Sequence, residues 1–179
     1  FSMDTYSQYS LDGGKTWKKL GLKDRHVDDH ALWIDPDDSN HLIIGGDGGI
    51  YETFDHGSDW RHASNLPVIQ FYRVAVDNST PFYNIAGGTQ DNNSMVGPSQ
   101  TICKDGILKD DWTVTNGGDG FFSGFDPENP NIMYAESQYG GLVRFDRSSG
   151  ERVYIQPLEP EGEAYRWNWN APFKVSSHE

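Results

Sequence analysis

The sequence predicts an all-β chain built from repeats of a four-stranded antiparallel sheet, and three observations carry that reading. Residues 31–60 run as strand (31–34), Asp-Pro turn (35–40), strand (41–44), glycine loop (45–49), strand (50–54), tight turn (55–58) and an aromatic, Trp60, opening a fourth strand. The landmarks recur: Trp17 and Trp60 are 43 residues apart, as are Asp12 and Asp55, while Asp35 and Asp77 are 42 apart and Asp77 and Asp126 are 49 apart. Blades of about 40 to 50 residues have that period. Composition agrees, since 20 Gly and 13% aromatic residues with only 35% hydrophobic residues suit short strands, many turns and aromatic plugs rather than a disordered acidic chain. The fold class is therefore a β-propeller fragment made of four-stranded antiparallel blades.

The turn before each outer strand has its own chemistry. Ser10-Leu11-Asp12-Gly13-Gly14-Lys15-Thr16-Trp17 is a full match to the Asp-box pattern S-x-D-x-G-x-T-W, and residues 53–60 are a degenerate copy. An Asp there bonds back to the backbone, Gly supplies a positive φ and Trp packs under the hairpin. Such a turn reports fold and not catalysis.

Taken in order, residues 1–20 are half a blade, a hairpin around the first Asp box. Residues 26–64 are a complete blade. Residues 71–115 are a third unit, with an inner strand at 71–76, a second strand at 82–87, an insertion at 95–110 and a last strand at 112–114. Residues 120–158 are the next blade, its turn at 126–131 repeating 35–40 and its Asp box decayed at 146–150. Residues 165–175 read as the inner strand of a further blade. Propellers close with about four to eight blades and an open arc leaves sheet edges unpaired, so the chain is expected to be part of a larger propeller.

A formal net charge of −13 excludes nucleic acid and anionic membrane surfaces as partners. The basic run of Lys15, Lys18, Lys19, Lys23 and Arg25 reads as a solvated outer edge. Cys103 stands alone, which rules out an internal disulfide and leaves a buried small residue or a spare thiol. No apolar run approaches the roughly 20 residues that span a bilayer, so no membrane insertion is expected.

Blade geometry sorts the loops. The Asp-Pro turns and Asp boxes fall on one face. The loops between second and third strands, and the links between blades, fall on the other, where polar residues gather: His26, Asp28, Asp29, His30, Asp47, Gln90, Asp91, Asn92, Asn93, Asp119, Glu136, Gln138, Arg166, Trp167, Asn168, Trp169 and Asn170. Amides, carboxylates and aromatic faces at a channel mouth suit a sugar, and hard oxygens suit a cation such as Ca2+, although no dedicated metal set and no cofactor are predicted. Catalytic candidates are Asp28, Asp29, Asp47, Asp91, Asp119 and Glu136. Binding candidates are His26, His30, Gln90, Asn92, Asn93, Gln138, Arg166, Trp167 and Trp169. The competing readings are structural: Asx turns for the acids, His–Asp hydrogen bonding for the H-x-D-D-H run, and core packing for Trp167 and Trp169.

These residues, with the stretches HVDDHALWIDP, GGDGGIY, NLPVIQFYRVAVD, GGTQDNNSMVGPS, NGGDGFFSGFDP, YAESQYGG and YRWNWNAPF, make the chain resemble the Asp-box (BNR) propellers of the glycosyl-hydrolase-like group, related to the sortilin-type receptor propeller and to two-propeller xyloglucan endoglucanases. The resemblance covers nearly the whole chain. It implies a seven-bladed parent in a secreted or periplasmic protein, extracellular or periplasmic in location, with polysaccharide or glycan binding or hydrolysis at the channel mouth. The partners it implies are a glycan or peptide ligand and the remaining blades or a second propeller. The alternatives are a sortilin-like peptide-binding module without catalysis, or a structural assembly propeller. The xyloglucan enzymes use two Asp residues across a cleft between propellers, and no position here matches either.

Overall fold

The computed structural model describes residues 1–66 and 68–176, so Pro67, inside the NLPVIQ stretch, lies outside it. Two compact units divide the chain, Phe1–Val68 and Ile69–Glu179. Among the described residues no helix is long and apolar enough to cross a membrane.

The first unit holds a two-stranded sheet, β1 (Gln8–Tyr9) with β2 (Lys18–Lys19), and a four-stranded antiparallel sheet of β3 (Asp29–Ile34), β4 (Leu42–Gly46), β5 (Gly49–Thr53) and β6 (Arg61–His62), paired in chain order. Alternation along β4 sends Leu42 and Ile44 to one side, and with Tyr51, Trp60 and Leu20 they form the core. The second unit has two such sheets. One is β7 (Arg73–Val76), β8 (Asn84–Gly88), β9 (Ser94–Pro98) and β10 (Thr113–Asn116); the other is β11 (Gly120–Phe125), β12 (Ile132–Ser137), β13 (Gly141–Asp146) and β14 (Arg152–Tyr154). Strand β11 packs against β7 and β8. The core between the sheets is Ala86, Val96, Met133 and Phe145, with Phe125 against it. The chain is thus all-β, its four-stranded antiparallel meanders being blades of the propeller kind.

The turns are held by the aspartates. Asp35, Asp77 and Asp126 each accept the backbone N–H two residues on, at 2.9, 3.2 and 2.9 Å. Asp12 accepts the amides of Lys15 and Thr16 at 3.0 and 2.9 Å, and Asp55 those of Ser58 and Asp59 at 2.9 and 3.0 Å. Gly57, at φ 86°, shows why a side chain is refused there: a Cβ would stand 2.7 Å from Leu20 Cδ1. Trp60 is buried and donates its indole N–H to Gly21 O at 2.9 Å, whereas Trp17 is half exposed over its two-stranded sheet.

Four expectations need correction. The third strand of the third unit is β9, inside the stretch read as an insertion, because Met95-Val96-Gly97 alternates and buries Val96; only the excursion before β10 is left, carrying a short 3-10 helix at Lys109–Asp111. Residues 165–175 form no strand, because they meet the side chains of a sheet face rather than a strand edge whose N–H and C=O groups could pair with them. Arg25 is buried, not solvated, because Asp29 neutralises it. Cys103 is exposed, on the β9–β10 excursion.

Candidate functional site

Three loops of the second unit are knitted into one rim. Asn93 N–H donates to Gly118 O at 3.0 Å, Gly120 N–H to Thr89 O at 2.9 Å, and Thr89 N–H to Asn93 O at 3.0 Å. The Asp119 carboxylate accepts the Asp91 amide at 2.7 Å, and Asp119 N–H donates to Gln138 Oε1 at 3.0 Å. Asn92 Nδ2 closes back onto Gln90 O at 3.0 Å. Asp91, Asn93 and Tyr139 hold positive φ of 55°, 72° and 58°, backbone strain on the order of 1–3 kcal/mol each that this network sustains. The loops can approach so closely because β8 ends in Gly88 and β11 begins at Gly120: a Cβ on Gly88 would run into the Gly120 backbone.

Aromatic rings sit in the same rim. Tyr72 stacks on Phe121 at 5.3 Å, Trp169 meets Phe121 edge-on at 6.4 Å, and Tyr139 meets Trp169 edge-on at 5.0 Å. Phe121 is buried, while Tyr72, Tyr139 and Trp169 are each about half exposed. Tyr72 Oη donates to Gln90 Oε1. The outcome is a ledge of three open rings on a buried fourth, edged by Gln90, Asn92 and Gln138. Sequence reading missed Tyr72, Phe121 and Tyr139, since two lie on or beside apolar strand patterns that read as core; the non-glycine Tyr139 in a glycine loop was the available signal.

The other candidates of this unit divide by accessibility. Asp91 is exposed, Asp119 is buried and occupied by the Asp91 amide, and Glu136 is 1% exposed. Burial pushes the Glu136 carboxyl up to about 7, against a partial opposing pull from the Ala171 and Phe122 amides, neither of which makes a hydrogen bond of ordinary geometry to it. Trp167 packs on Gly140, Asn168 and Asn170 are exposed, and so is Arg166.

In the first unit the H-x-D-D-H run is split. Asp29 pairs with Arg25, both buried; Arg25 Nε also donates to Gly21 O at 3.2 Å, and its guanidinium lies 5.0 Å over the Trp60 ring. His30 Nε2 is 2.6 Å from Asp47 Oδ1. His26 packs against Gly48 and holds Val27 O through Nδ1 at 2.7 Å. Asp28, at φ 63°, accepts the Asp47 amide on its backbone oxygen at 3.2 Å. His30 thus meets an Asp, though one outside the run, while His26 meets a backbone carbonyl, so His–Asp hydrogen bonding describes only one of the two.

No protein-family model matches the chain, and no curated protein matches it. Among solved structures it is similar to the crystal structure of the GH74 xyloglucanase from Xanthomonas campestris, at 15% sequence identity and a TM-score of 0.33, covering 90% of this chain and 29% of that one. The chain thus spans under a third of that protein's length.

Proposed function

We propose that the chain is part of an Asp-box propeller of the glycosyl-hydrolase-like group, with a secreted or periplasmic seven-bladed parent, and that the rim of its second unit binds a glycan. The observation that carries this is the ledge: half-exposed Tyr72, Tyr139 and Trp169 around Phe121 offer flat faces for sugar C–H groups, and the amides of Gln90, Asn92 and Gln138 beside them suit hydroxyls. Binding is favoured over hydrolysis in this unit. Glycoside cleavage needs two carboxyl groups about 5–10 Å apart that both reach the scissile bond, and here Asp119 and Glu136 are buried, leaving Asp91 as the exposed acid of the three.

The test is a glycan array with the 179-residue chain, followed by calorimetry on any hit and a reducing-sugar assay. We expect a glycan ligand, loss of affinity of tenfold or more on Tyr139→Ala, a smaller loss on Tyr72→Phe, which removes only the hydroxyl, and no sugar release. Release of reducing ends would make the unit hydrolytic. No glycan hit together with capture of extended peptides would replace this reading by the sortilin-like one.

A further inference from the structure

Residues 167–175 are a strap laid over one face of the β11–β14 sheet. The Tyr139 amide donates to Trp169 O at 3.1 Å. The Trp167 ring lies against Gly140, where a methyl group would be driven into it. Phe173 meets Phe122 edge-on at 6.1 Å, and Phe173 and Val175 fill the space above Gly124. Ala171, in the middle, is 8% exposed.

Glu136 lies beneath the strap. Alternation along β12 turns Met133 and Ala135 toward the inter-sheet core side, so Tyr134 and Glu136 take the opposite face, the one the strap covers. Among the described residues neither oxygen of the Glu136 carboxyl makes a hydrogen bond of ordinary geometry, the backbone amides of Ala171 in the strap and Phe122 on β11 being the donors near it, and the indole N–H of Trp167 has no partner. Among the described residues no counter-charge pairs with Glu136. Cross-strand to Glu136 on β13 is Leu142, and Arg144 lies opposite Tyr134, two positions further along that face. Strand β11 presents Phe122 and Gly124, which do not titrate, and from β7 the Arg73 guanidinium lies 4.3 Å over the Phe122 ring. On the strap side, Arg166 and Lys174 are exposed, and among the described residues Glu136 joins no ion pair. A carboxyl sealed in this way is tolerated far better neutral than ionised, since an unpaired buried anion pays its full desolvation cost.

We propose that Glu136 is a proton-operated latch for this strap: with the proton on its carboxyl, residues 167–175 lie down on the β11–β14 sheet, and when the proton leaves to solvent the buried anion draws in water and lifts them. Lifting takes Trp169 away from Tyr139 and Phe121 and remodels the aromatic ledge, so the latch sets the shape of the rim whether or not a glycan binds there. The sign follows from the raised carboxyl: closure is complete below the ordinary glutamate value of 4.5 and is lost as pH rises through about 7.

Amide hydrogen exchange on the 179-residue chain tests it, at pH 5 and pH 7.5, corrected for the intrinsic pH dependence of exchange. We expect protection of the Tyr139 amide, the one that donates to the strap, to fall at least tenfold at the higher pH in the natural chain, to stay level in Glu136→Gln, and protection of β8 and β9 to stay level in both. Equal behaviour of the two proteins, or no loss in the natural one, overturns the latch. A second measurement needs no variant: the side-chain carboxyl carbon of Glu136, followed by NMR, is expected to titrate with a midpoint near 7, and a midpoint near 4.5 also overturns it.

Discussion

Arg25 and Lys23 are two residues apart, and their charges do opposite work. Lys23 bonds Asp59 at 2.6 Å with both side chains about two-thirds exposed, whereas the Arg25–Asp29 pair is sealed at 0% and 3% exposure. Exposed pairs contribute little because water screens them. Removing one partner of a buried pair leaves the other charge without compensation. We therefore expect Asp29→Asn to destabilise the first unit by about 3–5 kcal/mol and Lys23→Ala to leave its stability nearly unchanged, both read from urea denaturation. Equal midpoints for the two variants would mean that the Arg25 guanidinium reaches water. A run of basic residues in sequence invites a uniform, solvated reading. What separates these two is the indole of Trp60 and the carbonyl of Gly21 around one of them, which only the folded chain brings near.

At the level of elements, glycine contrasts give the sharpest test. A Cβ at Gly88 would run into the backbone of Gly120, so β8 and β11 have to separate, while one at Gly45 meets nothing within 4 Å. Gly88→Ala is expected to cost about 3 kcal/mol or more by overpacking and Gly45→Ala under about 0.5 kcal/mol, with thermal midpoints as the measurement. The turns were legible in the sequence because their chemistry is local: Asp35, Asp77 and Asp126 each hold an amide two residues away, which spacing alone can anticipate. The strap was not, because an extended apolar run becomes a strand only beside a free strand edge, and Tyr165 to Val175 carry no mark of what lies next to them. The same limit hid the ledge. Tyr72 and Phe121 alternate like core residues, and their stacking depends on β11 crossing β7. Strand β9 was obscured for a local reason, since Gly97 and Pro98 interrupt an apolar pattern that Trp112 completes from above by packing over Gly97.

For the molecule as a whole, titrations of opposite sense set where stability peaks. The turn aspartates lose their contribution on the acid side. Hydrogen bonding from the Thr16 hydroxyl and amide and from Ser10 brings Asp12 down to about 2, backbone N–H donors lower Asp35 and Asp55, and the Ser148 hydroxyl lowers Asp146. Groups with depressed values stabilise the fold above their ordinary 3.8, and that contribution fades as pH falls through the folded values. His41 and Glu136 act on the other side. His41, between Asp35 Oδ2 and Glu52 Oε1 at 3.1 Å each and stacked on Phe54, is raised by those hydrogen bonds, so its contribution is whole below 6.5 and lost as pH climbs through the raised value. Glu136 declines earlier, between 4.5 and about 7. Thermal melts of the 179-residue chain across pH 3 to 8 are expected to peak between about pH 4 and 5 and to fall on both sides. In Glu136→Gln the early part of the alkaline decline should vanish while the later part, which belongs to His41, is kept. In His41→Gln the reverse is expected. A chain whose stability rises steadily to pH 8 would show that neither group is held away from its ordinary value by the fold.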